Sequence, residues 1–524
     1  MIFNNNSRTT KTIFNTLTGT TGHAVSLLLG FVGRMVFLQY LAVELLGINS
    51  LFTSIIAVFS LAELGFSTAI SYALYRPLSE NNERKISALM QYYKKIYSII
   101  GFVVLFLGII ILPFLQYFIN NFEQINISLN DLRIYFIIFL ISTVSTYFFA
   151  YKRTLIISDQ KRFIVNIINI IISIINKITQ ILIIIFLQNF FLFLAINVIF
   201  IYLENIAINI IVDKRYKYLK IYKKEKLNSD EKKTLYVNIL ALFFTKTSSV
   251  FTTGIISIII SKFIGLKEVG LYSNYFLLTS AITTLIVKFN ESATASVGNF
   301  AVTENIESQK ELFKKILYFN SFFAIVFFVG LSILFNDFIE IWLGKEMILD
   351  RWLPLFMAIN IFIWIIRNTL GIFFNAYGLY KYYYYRCFFE IIIFLGLALP
   401  GAIIFGISGV IGSQIIAIII IQLPFEIFII SKYALQEKIK FIYNHLFKYL
   451  FITLICFCIS YFVYFFLLPS GLIGFILKIL FILLVVTSVY YITTYKTEEF
   501  KYYCNLFKNI LIRSKKITSN QEIK

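Results

Sequence analysis

The chain has 524 residues, 59% of them hydrophobic and only 14% charged, and its mean hydropathy is +0.82. No soluble fold of this length can hide that much apolar surface, so composition excludes the soluble classes and indicates an integral membrane protein. The formal net charge of +20 would suggest nucleic acid in a soluble chain, but here lysine and arginine fall in short segments between apolar runs, where membrane orientation accounts for them without a nucleic-acid partner.

About twenty apolar residues cross the hydrocarbon as a helix, and the sequence offers roughly fourteen such segments. Membrane strands are excluded, because the runs are too long and do not alternate. The expected fold class is therefore an all-α integral membrane protein of about 14 transmembrane helices. Helices 1 to 6 fall at about 13–41, 47–75, 92–119, 131–151, 163–187 and 190–212. Helices 7 to 12 fall at about 235–263, 271–297, 314–338, 352–375, 386–406 and 408–432, and helices 13 and 14 at about 446–468 and 472–494. The first apolar run is too long for the core of a signal peptide, so no cleaved leader is expected.

Charge sets the orientation. With the N-terminus in the cytoplasm, about 36 of the 47 basic residues lie in cytoplasmic segments, five in outer loops and six within spans. That asymmetry predicts both termini inside and an even number of helices. The longest loop, residues 213–233, is basic and rich in tyrosine. It reads either as a solvated linker obeying the same rule or as a segment lying on the anionic inner leaflet.

That loop also divides six helices from eight. The junction of helices 1 and 2 reads Glu44-Leu45-Leu46-Gly47-Ile48-Asn49-Ser50. The junction of helices 7 and 8 echoes it as Glu268-Val269-Gly270-Leu271-Tyr272-Ser273. Two six-helix halves related by a repeat are a common transporter plan. The expected divisions are an N-terminal lobe at 1–230, a C-terminal lobe at 231–433, and helices 13 and 14 with a tail at 434–524.

The stretch Leu46-Gly47-Ile48-Asn49-Ser50-Leu51-Phe52, then Leu61-Ala62-Glu63-Leu64-Gly65, then Tyr75-Arg76-Pro77-Leu78 resembles Wzx-type flippases of O-antigen and capsule repeat units, within the MATE-like MOP superfamily. The resemblance implies two pseudo-symmetric six-helix lobes plus two C-terminal helices in a bacterial inner membrane. It implies alternating-access transport of an undecaprenyl-pyrophosphate-linked oligosaccharide, with H+ or Na+ as coupling ion and other polysaccharide-assembly proteins as partners. No cofactor is expected, and no nucleotide loop, catalytic triad or metal-ligand spacing occurs in the sequence.

Charges inside spans are costly and mark function by default. Lys246, Lys288 and Arg367 are expected in the inner halves of helices 7, 8 and 10. Arg34 and Lys177 are expected nearer the middle or outer half of helices 1 and 5. These five cations are the candidate ligands for a lipid pyrophosphate, which arginine and lysine bind well in a low dielectric. Plainer readings stand beside them. Lys288 can pair with Glu291 three residues on, and Lys246 and Lys478 can snorkel to the interface. Among the acids Glu63, Glu204, Glu390 and Glu426, the deepest is Glu63. It reads either as an ion-coupling carboxylate or as an interhelical hydrogen-bonding group. Glu390 and Glu426 are expected to face the headgroups near the inner boundary. Two readings of other kinds remain open, a membrane polymerase or glycosyltransferase of the same pathway and a MATE-like exporter. The short outer loops disfavour the former, and the helix 1–2 motif disfavours the latter.

Overall fold

In hydrocarbon a backbone must satisfy its own hydrogen bonds, so each apolar run closes into a helix. The computed structural model describes residues 8–506 and 508, without 64, 383 and 468–470, and every regular element among them is helical. In chain order these are α1 (Arg8–Tyr40), α2 (Val43–Phe59), α3 (Phe66–Ser79), α4 (Glu83–Ile111), α5 (Leu129–Ser158), α6 (Arg162–Leu187), α7 (Phe190–Arg215) and the short α8 (Tyr218–Ile221). They continue as α9 (Ser229–Phe263), α10 (Leu266–Thr303), α11 (Ile306–Leu343), α12 (Leu353–Ala376), α13 (Tyr384–Ala417), α14 (Leu423–Ile429), α15 (Ile439–Leu467) and α16 (Gly471–Thr494).

Among the described residues, eleven helical stretches are long and apolar enough to cross a membrane. One of them, Arg386–Ala434, runs 49 residues and turns at Gly406, whose φ of 59° lies in the left-handed region. It supplies two spans, divided where the sequence places the boundary between helices 11 and 12. Two shorter apolar helices, Val43–Phe59 and Val250–Phe263, lie where helices 2 and 7 are expected. The protein is an all-helical, multi-pass integral membrane protein.

One expected helix is broken. The sequence reads 47–75 as continuous, but α2 ends at Phe59, a 3-10 turn covers Ser60–Glu63, and α3 begins only at Phe66. Two local causes combine. The Ser60 hydroxyl donates to the Ile56 carbonyl at 2.9 Å, a back-bond that bends helices. Gly65 then takes φ 92°, which only a residue without Cβ adopts freely.

The chain forms two compact units, residues 1–273 with 383–410 and residues 274–382 with 411–524. In the first, α1 packs on α6, α2 on α9, α4 on α5, and α7 on α5 and α6. Its core is built on Ile48, Leu51, Phe52, Tyr93, Tyr97 and Phe136, all fully buried. The Phe52 and Phe136 rings meet edge to face at 5.0 Å. The two echoed glycines meet here. A Cβ on Gly47 would overlap the Leu266 carbonyl, and one on Gly270 would overlap the Val43 carbonyl. The start of α2 and the start of α10 therefore touch backbone to backbone.

In the second unit α11 packs on α12, α15 and α16. Lys478 does not snorkel, as the sequence suggested. It is 7% exposed, its Nζ donates to Asp337 Oδ2 at 2.7 Å, and it lies 4.3 Å over the Tyr464 ring. The Tyr464 hydroxyl donates to the other Asp337 oxygen at 3.1 Å. A buried lysine without a counter-ion is costly, and Asp337 makes its burial tolerable. This triad ties α15 and α16 to α11. Pro424, which cannot donate to a preceding carbonyl, sits just after a π-helical turn at Ile418–Gln422, and a second such turn covers Ile430–Ala434.

Candidate anion-binding site

Within the spans, most described cations already have an anion. The Arg367 guanidinium holds Glu426 in a two-pronged pair, Nε to Oε2 at 3.0 Å and Nη2 to Oε1 at 2.7 Å. The Gln422 amide donates to Glu426 Oε1 at 3.3 Å. Arg153 pairs with Glu204, Arg386 with Glu390 at 3.5 Å, and Lys478 with Asp337. Glu390 and Glu426 are 3% and 2% exposed, which corrects the expectation that they face headgroups. Each carboxylate is buried because a guanidinium lies within reach, a pairing that crosses helices for Glu426 and is invisible to depth counting.

Arg34 and Lys177 differ. The Arg34 Nη1 donates to the Ser273 hydroxyl at 2.7 Å, and that hydroxyl donates to the Gly270 carbonyl at 2.7 Å. Arg34 is thereby held beside the Gly47–Gly270 crossing by a neutral group. The Lys177 ammonium donates to Gln180 Oε1 at 3.0 Å, and the Gln180 amide donates to the Phe193 carbonyl at 3.2 Å. Since α1 packs along α6, Arg34 and Lys177 stand on neighbouring helices. Among the described residues no carboxylate comes within ion-pair distance of either. Two like charges in a low dielectric, each held only by a neutral partner, favour an external polyanion.

The local sequence explains Lys177. On α6 the residues Asn166, Asn169, Ser173, Asn176 and Gln180 recur every three or four positions, with Lys177 beside Asn176, so one face of an otherwise apolar helix is polar. Asn176 donates to Asn197 Oδ1 at 2.9 Å, and Asn169 donates to Glu204 Oε1 at 3.3 Å. This stripe was missed as a unit, although its spacing is legible in the sequence. Ser273 gives no such signal.

The remaining candidates distribute differently. Lys288 is half-buried in the second compact unit. The side chains of Lys246 and of Glu291, the proposed partner of Lys288, lie outside the described residues. Glu63 sits at the break after α2, where the Tyr97 hydroxyl donates to its Oε1 at 2.8 Å. Around it, Tyr147 donates to the Ser60 hydroxyl at 2.8 Å, Tyr93 and Thr154 share a hydrogen bond of 3.2 Å, and the Tyr93 and Tyr97 rings stand 4.3 Å apart. Among the described residues no group of three or more His, Cys, Asp or Glu is placed to hold a metal ion.

No family model and no curated protein matches the chain. Its fold does match solved structures. The lipid II flippase MurJ, in an inward closed conformation, aligns with a TM-score of 0.69 over 92% of this chain and 98% of its own, at 16% identity. The fold is that of the MOP-superfamily transporters. An inward-facing multidrug resistance MATE family transporter of that superfamily aligns at 0.59, over 78% of this chain and 96% of its own, at 14% identity. The MATE multidrug transporter DinF-BH aligns at 0.58, over 80% of this chain and 94% of its own, at 16% identity. At such identities the likeness is one of fold.

Proposed function

We propose that this protein is a flippase for undecaprenyl-pyrophosphate-linked oligosaccharide units in surface-polysaccharide synthesis, working by alternating access in the bacterial inner membrane. The observation that carries this reading is the Arg34–Lys177 pair, two span cations with neutral partners where the other described span pairs are internally neutralised. A pyrophosphate diester brings two negative charges, which answer two cations, and the arginine fork suits phosphate oxygens. The MurJ-like fold supports a lipid-linked cargo. Arg367, in the second compact unit, would bind an anion only by leaving Glu426, and Lys288 and Lys246 are retained as further candidates in the C-terminal lobe.

The two six-helix lobes, the C-terminal pair and the cytoplasmic termini belong to the same proposal, supported by the echoed junctions and the basic asymmetry. Glu63 is proposed as the carboxylate that couples transport to H+ or Na+, supported by its place at a helix break. The decisive experiment is deletion followed by localisation of the lipid-linked precursor. Precursor made but retained on the cytoplasmic leaflet is the expected result. Loss of its synthesis, or accumulation of unpolymerised units outside, would point to an enzyme instead.

A further inference from the structure

The connection between α7 and α9 sorts its charges by direction. Residues 213–233 carry nine lysines and arginines, and all nine are exposed. Three of the four acids are engaged in fixing the segment to its own unit. Asp213 meets Lys152 at 2.7 Å, and Glu225 faces Arg84 at 4.0 Å. Glu231 pairs with Lys85 and closes a capping box with Asn228 at the start of α9. The fourth, Asp230, stands in the first turn of α9, where it complements the helix dipole. Tyr216, Leu219 and Leu227 are buried beneath the segment, and the Tyr216 hydroxyl donates to Asp159 at 2.6 Å. A tether that merely obeyed the orientation rule needs none of this fixing.

We propose that this folded connection is a binding surface for the anionic phospholipid headgroups of the leaflet it borders. The acids and the apolar anchors hold the segment against α4 and α5, while Lys217, Lys220, Lys223 and Lys224 stay exposed. It joins the ends of two spanning helices, and an anionic leaflet attracts each lysine that comes within a Debye length of its surface. Ile221, 72% exposed amid these lysines, and Tyr236, 57% exposed near the start of α9, offer apolar groups to the interface. Free phosphate would have no use for them, so the partner is lipid. The inference rests on the cytoplasmic placement of this loop, not on the identity of the cargo.

The test uses the full chain without native cysteines, with Ile221→Cys carrying an environment-sensitive fluorophore. Vesicles of phosphatidylcholine alone are compared with phosphatidylcholine mixed with phosphatidylglycerol. The mixed vesicles should give a blue-shifted signal that salt reverses. Lys217→Gln, Lys220→Gln, Lys223→Gln and Lys224→Gln should weaken that response roughly fivefold per lysine. Glu225→Gln with Glu231→Gln keeps all nine cations but releases the segment from α4, and should also weaken it. Identical signals in the two vesicles, or a lysine variant that responds like the parent, overturns the proposal. So does a response that grows when the two acids are removed, since net charge rather than an ordered face would then be binding.

Discussion

Gly47 and Gly270, the matching residues of the two echoed junctions, are in backbone contact: a Cβ on Gly270 would lie 3.2 Å from the Gly47 nitrogen. Side chains are excluded on both sides, so the approach depends on both glycines. Gly47→Ala and Gly270→Ala should each cost about 1–3 kcal/mol through overpacking. Both should lower the thermal unfolding temperature in detergent. Wild-type melting in either variant would show that the crossing opens without penalty.

Arg34 sits beside that crossing, held by Ser273. Arg34→Ala and Lys177→Ala should each abolish export while the protein still inserts, and Arg34→Lys should retain part of the activity because charge survives without the bidentate fork. Surface polysaccharide and membrane-inserted protein are measured together. Normal export in both alanine variants would remove the anion-site reading.

The Arg367–Glu426 pair separates stability from transport. Arg367→Ala leaves a buried carboxylate uncompensated and should destabilise by about 3–5 kcal/mol. Replacing both residues by methionine should restore most of that loss, since matched apolar groups need no counter-ion. If the double variant folds and still exports, Arg367 serves structure alone. If it folds and fails to export, Arg367 contributes to anion binding.

Glu63 accepts from Tyr97 at the break after α2. Glu63→Gln keeps an acceptor for that hydroxyl but removes the charge. In vesicles with an imposed proton or sodium gradient, this variant should bind substrate yet lose its dependence on the gradient. An unchanged gradient response would leave Glu63 as an interhelical hydrogen-bonding group.

Orientation is checked by labelling. Single cysteines at Lys223 and Lys345, in a background without native cysteines, should react from opposite faces of the membrane, Lys345 from outside. Labelling of both from outside would overturn this topology.

The sequence by itself determined the fold class and most of the spans. Twenty-residue apolar runs are a property of the chain in one dimension, and lipid leaves helices as the only spanning form for them. The glycine echo was legible for the same reason, although not the contact it makes. Tertiary structure alone decided which span charges are neutralised. Depth counting placed Arg367 and Glu426 on their helices, yet whether a guanidinium meets a carboxylate depends on which helices pack and on their rotation. Lys478 lies 141 residues from Asp337 and Arg34 lies 239 residues from Ser273, separations at which spacing carries no information. The break at Ser60–Gly65 was hidden as well, because hydropathy counts side chains and does not register a hydroxyl bonding back to the helix or a glycine turning left-handed.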